Sequence, residues 1–137
     1  MTQEVLTFPS MHADHRHWQS EDSIWRDDIS RWRAQQEDAL VQLAELEEKI
    51  RNHGNAIDEH ADAIARQEHS LKDHEKSMAR YLSDGADAEG QEGMAKNHRQ
   101  QAERHEAHRK THERLKERQH TVMAQLSMLK AAFNSEM

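Results

Sequence analysis

Two stretches of the chain place apolar and histidine residues in a heptad rhythm, and the two rhythms mirror each other about residues 83–93. In the first stretch the a positions are Ile29, Gln36, Leu43, Ile50, Ile57, Ile64, Leu71 and Met78. Its d positions are Trp25, Trp32, Ala39, Leu46, His53, His60, Gln67, His74 and Tyr81. In the second, His98, His105, His112, Gln119, Leu126 and Phe133 occupy a, while Met94, Gln101, His108, Leu115, Val122 and Leu129 occupy d. Such spacing predicts an all-α protein built as a long antiparallel coiled-coil hairpin.

An antiparallel hairpin sets a residues of one arm against d residues of the other, so a turn centred near Ala86 gives a definite list of layers. Met78 meets Met94, His74 meets His98, Leu71 meets Gln101, Gln67 meets His105, Ile64 meets His108, and His60 meets His112. Further along, Ile57 meets Leu115, His53 meets Gln119, Ile50 meets Val122, Leu46 meets Leu126, Leu43 meets Leu129, and Ala39 meets Phe133. Polar layers mostly fall on polar layers. Sliding one arm by a heptad would set His60 against Leu115, leaving imidazole nitrogens unpaired at roughly 1–3 kcal/mol each.

Residues 1–17 lack this periodicity and hold the only proline, Pro9, so they read as a flexible or extended N-terminal arm, with residues 18–137 as one helical domain. Ser20, followed by Asp22 and Ser23, reads as a helix start. Gly54, between His53 and Asn55, offers a three-helix alternative, but the heptad phase passes through it without slipping. Ser83, Asp84, Gly85, Asp87, Gly90 and Gly93 mark the turn. The matched register leaves residues 20–36 as an overhang carrying Ile24, Trp25, Ile29 and Trp32. That face needs a cover. Val5, Leu6, Phe8 and Met11 of the same chain, a second subunit, or a foreign partner could supply it.

Only 34% of the residues are apolar, which suits a thin hairpin and leaves the monomer short of core. Small residues beside the first arm's histidines (Ala56, Ala61, Ala63, Ser70, Ser77) admit another helix, so we expect a homodimer forming a four-helix bundle. The first arm is acidic and the second basic, so the arms attract. That pairing, with few interleaved aromatics, argues against nucleic acid as a partner. With no cysteine and no long apolar run, disulfides, thiolate metal sites and a membrane span are excluded, and the expected address is the cytoplasm.

Seven of the twelve histidines (His53, His60, His74, His98, His105, His108, His112) fall on the predicted seam, where random placement would put about two-sevenths. They read first as polar residues that fix register, as a buried asparagine does in a zipper. The alternative is a transition-metal bundle in which His60, His105, His108, His112, His74 and His98 hold zinc, copper or nickel. A di-iron carboxylate site fits poorly, because the only Glu-x-x-His pair, Glu117 and His120, points outward. His12, Asp14, His15 and His17 form a second cluster on the arm.

No phosphate loop, nucleophile elbow or zinc-protease helix motif is present, so no enzyme and no required cofactor are expected. The leading expectation is a non-enzymatic self-association or scaffold protein that presents Trp25, Ile29 and Trp32 to a partner.

Overall fold

A computed structural model of the chain describes residues 6–85 and 87–135 as two α-helices with no strand. Helix α1 spans Phe8–Asp84 and α2 spans Ala88–Asn134. The chain divides into two compact units, Met1–Lys49 and Ile50–Met137. The first consists of the N-terminal run of α1. The second is an all-α hairpin in which residues 50–84 of α1 lie antiparallel to α2.

The helix begins well before Ser20, so residues 8–17, expected as an arm, are helical. Thr7 supplies the start: its hydroxyl accepts from the Ser10 N–H at 3.2 Å and its carbonyl from the Met11 N–H at 2.9 Å. Pro9 then sits in the first turn, where its missing N–H has no intrahelical partner to lose. Once that turn is formed, each added residue gains a hydrogen bond at little cost, and Ser20 becomes an interior position. The helix also runs unbroken through Gly54, which removes the three-helix alternative.

The connection is shorter than the glycine-rich stretch suggested. Gly85 takes a left-handed φ of 79° just past the end of α1, the conformation that glycine adopts without a Cβ clash. Asp87 caps α2, its carboxylate accepting from the Gly90 N–H at 2.7 Å. Gly90 and Gly93 therefore lie inside α2. A Cβ on Gly90 would stand 3.0 Å from the Tyr81 ring, so the lack of a side chain there permits close approach to α1. Ala86, the expected centre of the turn, lies outside the described residues.

The predicted register is the one observed within the hairpin. His53 meets Gln119, His60 meets His112, and the His74 ring stacks on His98 at 5.9 Å. The contact is turned, however, toward the d and g columns. The d residues His53, His60, Gln67 and His74 are buried, and the g residues Ala56, Ala63, Ser70 and Ser77 are half-buried. These small g residues admit the chain's own α2: Gln101, also buried, donates its Nε2 to the Ser70 hydroxyl at 3.3 Å and to the Ser70 carbonyl at 3.4 Å. The apolar a column is left open as a result, with Ile50, Ile57, Leu71 and Met78 38–49% exposed. Among the described residues no hydrophobic side chain is buried.

Candidate functional site

Three imidazoles meet near the middle of the hairpin. His60 comes from a d position of α1, and His108 and His112 come from one turn of α2, where i and i+4 share a face. His60 Nε2 lies 3.2 Å from His112 Nδ1, and the ring centroids of His60 and His112 are 5.3 Å apart. His108 stands 6.2 Å from His60, centroid to centroid. Burial holds the His60 pKa below its ordinary 6.5, and the positive charge that His112 and His108 would carry lowers it further.

An open groove of about 400 Å³ runs beside this cluster. His60, Ile64, Gln67, Leu71, His105, His108 and His112 line it, together with Glu68, Arg109 and Glu113. The groove is the open side of the a column: α2 leans toward the small g residues and leaves Ile64 half-buried and Leu71 exposed opposite its own histidines.

The six histidines expected to act together separate into two groups. His60, His105, His108 and His112 share the groove. His74 and His98 form their own pair, with His74 Nδ1 also accepting from the Asn97 amide at 3.1 Å. His74 is fourteen residues from His60 along α1, about 21 Å at 1.5 Å per residue. Among the described residues no group of three or more His, Asp or Glu side chains stands in a metal-holding arrangement.

The buried polar layers are only partly satisfied by protein groups. His53 donates from Nε2 to the Gln119 Oε1 at 3.2 Å, which leaves its Nδ1 as an acceptor. His53 Nδ1, Gln67 Nε2, His74 Nε2 and Gln101 Oε1 are buried without a hydrogen-bond partner in the protein. Each such atom costs on the order of 1–3 kcal/mol unless it is solvated. The seam thus specifies alignment more than it adds stability.

The expected interaction face lies in the first unit. Trp25 and Trp32 are 54% and 59% exposed, and Ile29 is exposed between them. Of the three candidate covers, the chain's own N-terminal residues do not supply one: Phe8 and Met11 lie within α1, and Leu6 and Phe8 are exposed. Val5 lies outside the described residues. Trp18, 55% exposed, belongs to the same face and was missed by placing the helix start at Ser20. The signal was available in the sequence: Met11, Trp18, Trp25 and Trp32 repeat every seven residues. The nearby His15 ring lies 5.4 Å from Trp18, and His17 pairs with Glu21 at 2.8 Å, so the N-terminal histidine cluster is spread along helix faces.

No helix among the described residues is long and apolar enough to cross a membrane. No protein-family model, curated protein or solved structure matches the chain.

Proposed function

We propose that the chain is a non-catalytic association protein: a helical hairpin that self-associates and serves as a scaffold, with Trp25, Ile29 and Trp32 as its binding face. One observation carries this reading. Among the described residues the five buried side chains are all polar, while the large apolar side chains of α1 are exposed, apart from the half-buried Met11 and Ile64. A soluble fold normally hides its apolar residues first, and a contiguous apolar patch of several hundred Å² marks an interaction surface. The occupant that answers this need is a second copy, giving a homodimer; the compartment we assign is the cytoplasm, which suits a chain without cysteine. Sedimentation equilibrium tests the proposal. A dimer at micromolar concentration that becomes a helical monomer on Trp25→Ala with Trp32→Ala supports it; a wild-type monomer at about 100 μM, where even a weak dimer of micromolar Kd is populated, overturns it.

A second reading is favoured by one distance. Two nitrogens bound to a tetrahedral zinc at 2.0–2.1 Å lie about 3.3 Å apart, and His60 Nε2 and His112 Nδ1 are 3.2 Å apart. In this reading the hairpin binds zinc, copper or nickel through His60, His112 and His108, with His105 lining the same groove and His74 with His98 as a separate pair. Rotation of the His108 ring would complete the set. Elemental analysis of untagged protein decides it, with thermal unfolding in chelator as the partner measurement. Stoichiometric metal lost on His60→Gln supports this reading, and metal-free protein with an unshifted melt ends it.

A further inference from the structure

The tryptophan face is flanked by charges in a pattern that selects both partner and orientation. With Met11, Trp18, Trp25 and Trp32 at d, the g positions carry Asp14, Glu21, Asp28 and Gln35, and the e positions carry His12, Gln19, Arg26 and Arg33. One edge of the face is acidic and the other is basic. All of these residues lie on the unbroken helix α1, so the pattern is a spatial one.

We propose that the N-terminal run of α1, residues 8–36, forms a parallel, in-register two-stranded seam with a second copy of the chain. The inference rests on the self-association reading and names its geometry. In a parallel pair each g residue meets the e residue five places later in the other copy. Glu21 then faces Arg26 of the partner subunit and Asp28 faces Arg33 of the partner subunit, and two-fold symmetry doubles both pairs. In an antiparallel pair g faces g and e faces e. That arrangement sets Glu21 and Asp28 against acids or neutral glutamines, and Arg26 and Arg33 against each other. A heptad shift of the parallel pair loses one of the four charge pairs and one of the three tryptophan layers. The sequence is complementary to itself in one orientation, and best in one register.

The intrachain partners of these charges are exposed and weak. The half-buried Asp28 reaches the exposed Arg31 at 3.4 Å, so the interchain pairs displace little. The apolar gain comes from the d column. Three tryptophans per chain, each more than half exposed, bury on the order of 600 Å² between two copies, about half of what a small stable interface requires. Ile29 at a and Met11 at d add to that area. Asp22 occupies the a position between Trp18 and Trp25 and would face its own copy. A polar a residue fixes register and strand number at a cost in affinity. In an antiparallel pair Asp22 would face a d residue instead, so this position reports orientation.

Charge exchange in the full-length chain tests the geometry. Glu21→Arg with Asp28→Arg, and separately Arg26→Glu with Arg33→Glu, should each weaken the homodimer at least about tenfold in sedimentation. Mixing the two variants should restore a one-to-one heterodimer of wild-type affinity, which an unfolded variant could not do. Asp22→Asn should tighten the wild-type dimer about fivefold. Gln36→Cys, which introduces a single thiol into a chain that otherwise has none, should form an interchain disulfide under mild oxidation. A dimer that ignores both charge exchanges and leaves the Gln36→Cys chains unlinked would overturn the parallel seam while self-association stands. A wild-type chain that stays monomeric would overturn both.

Discussion

His60 Nε2 and His112 Nδ1 stand 3.2 Å apart across the hairpin, so the two rings share one proton between them. One nitrogen donates and the other accepts, so a single proton lies between these two atoms. Charging both rings would set two N–H donors against each other.

The stability of the hairpin should therefore fall in mild acid. The folded pKa of His60 lies below the unfolded value of about 6.5, so the unfolded chain binds more protons as pH drops through that range. Its contribution is fully present above pH 6.5 and is lost as pH falls toward the folded pKa. Thermal unfolding at pH 8 and pH 5 checks this: a lower Tm is expected at pH 5, and an identical Tm would place the imidazoles in solvent.

The same pair should show strong coupling in a mutant cycle. His112→Leu leaves the buried His60 ring without its partner and should cost about 1–3 kcal/mol, whereas His60→Leu leaves the exposed His112 ring to water and should cost less. The double replacement removes both polar groups and adds apolar contact beside Ile64. It should recover most of the loss and flatten the pH dependence. Urea denaturation of the four proteins gives the coupling energy, and additive losses would show that the pair does not interact.

Close approach of α2 depends on the small g column of α1. Ser70→Leu fills the space where Gln101 reaches the Ser70 hydroxyl and carbonyl, and should destabilise the hairpin by about 1–3 kcal/mol. Ser70→Ala, which keeps the carbonyl contact and the small volume, should cost under about 1 kcal/mol. Equal losses for the two in urea denaturation would mean that volume at this position is irrelevant.

Two glycines should respond in opposite directions to alanine. Gly54 is helical and a Cβ there meets nothing within 4 Å, so Gly54→Ala should stabilise by about 0.5–1 kcal/mol. Gly85 has φ of 79°, and Gly85→Ala should cost about 1 kcal/mol. Differential scanning calorimetry separates the two signs.

The seam histidines and the tryptophan face were legible in the sequence to different degrees. Periodicity identified His53, His60, His74 and their partners on α2, because a seven-residue repeat maps directly onto one side of a helix. It also placed Trp25, Ile29 and Trp32 together. Trp18 escaped notice because Pro9 and Ser20 are local signals, and local signals do not say which of two competing helix starts forms. The cap at Thr7, which satisfies the first free N–H groups, decided that in favour of the longer helix.

By itself the sequence determined the helical hairpin, its register and the polar character of its seam, since these follow from repeat length and from matching polar with polar layers. Tertiary structure alone decided how α2 is turned about its axis. Small side chains at Ala56, Ala63, Ser70 and Ser77 let the helices approach closely on the g side. That rotation buries the d histidines, opens the isoleucine and leucine column to a groove, and gathers His60, His108 and His112 while leaving His74 with His98. A heptad repeat fixes which residues face the partner helix, but the depth to which each column is covered depends on side-chain volume across the contact.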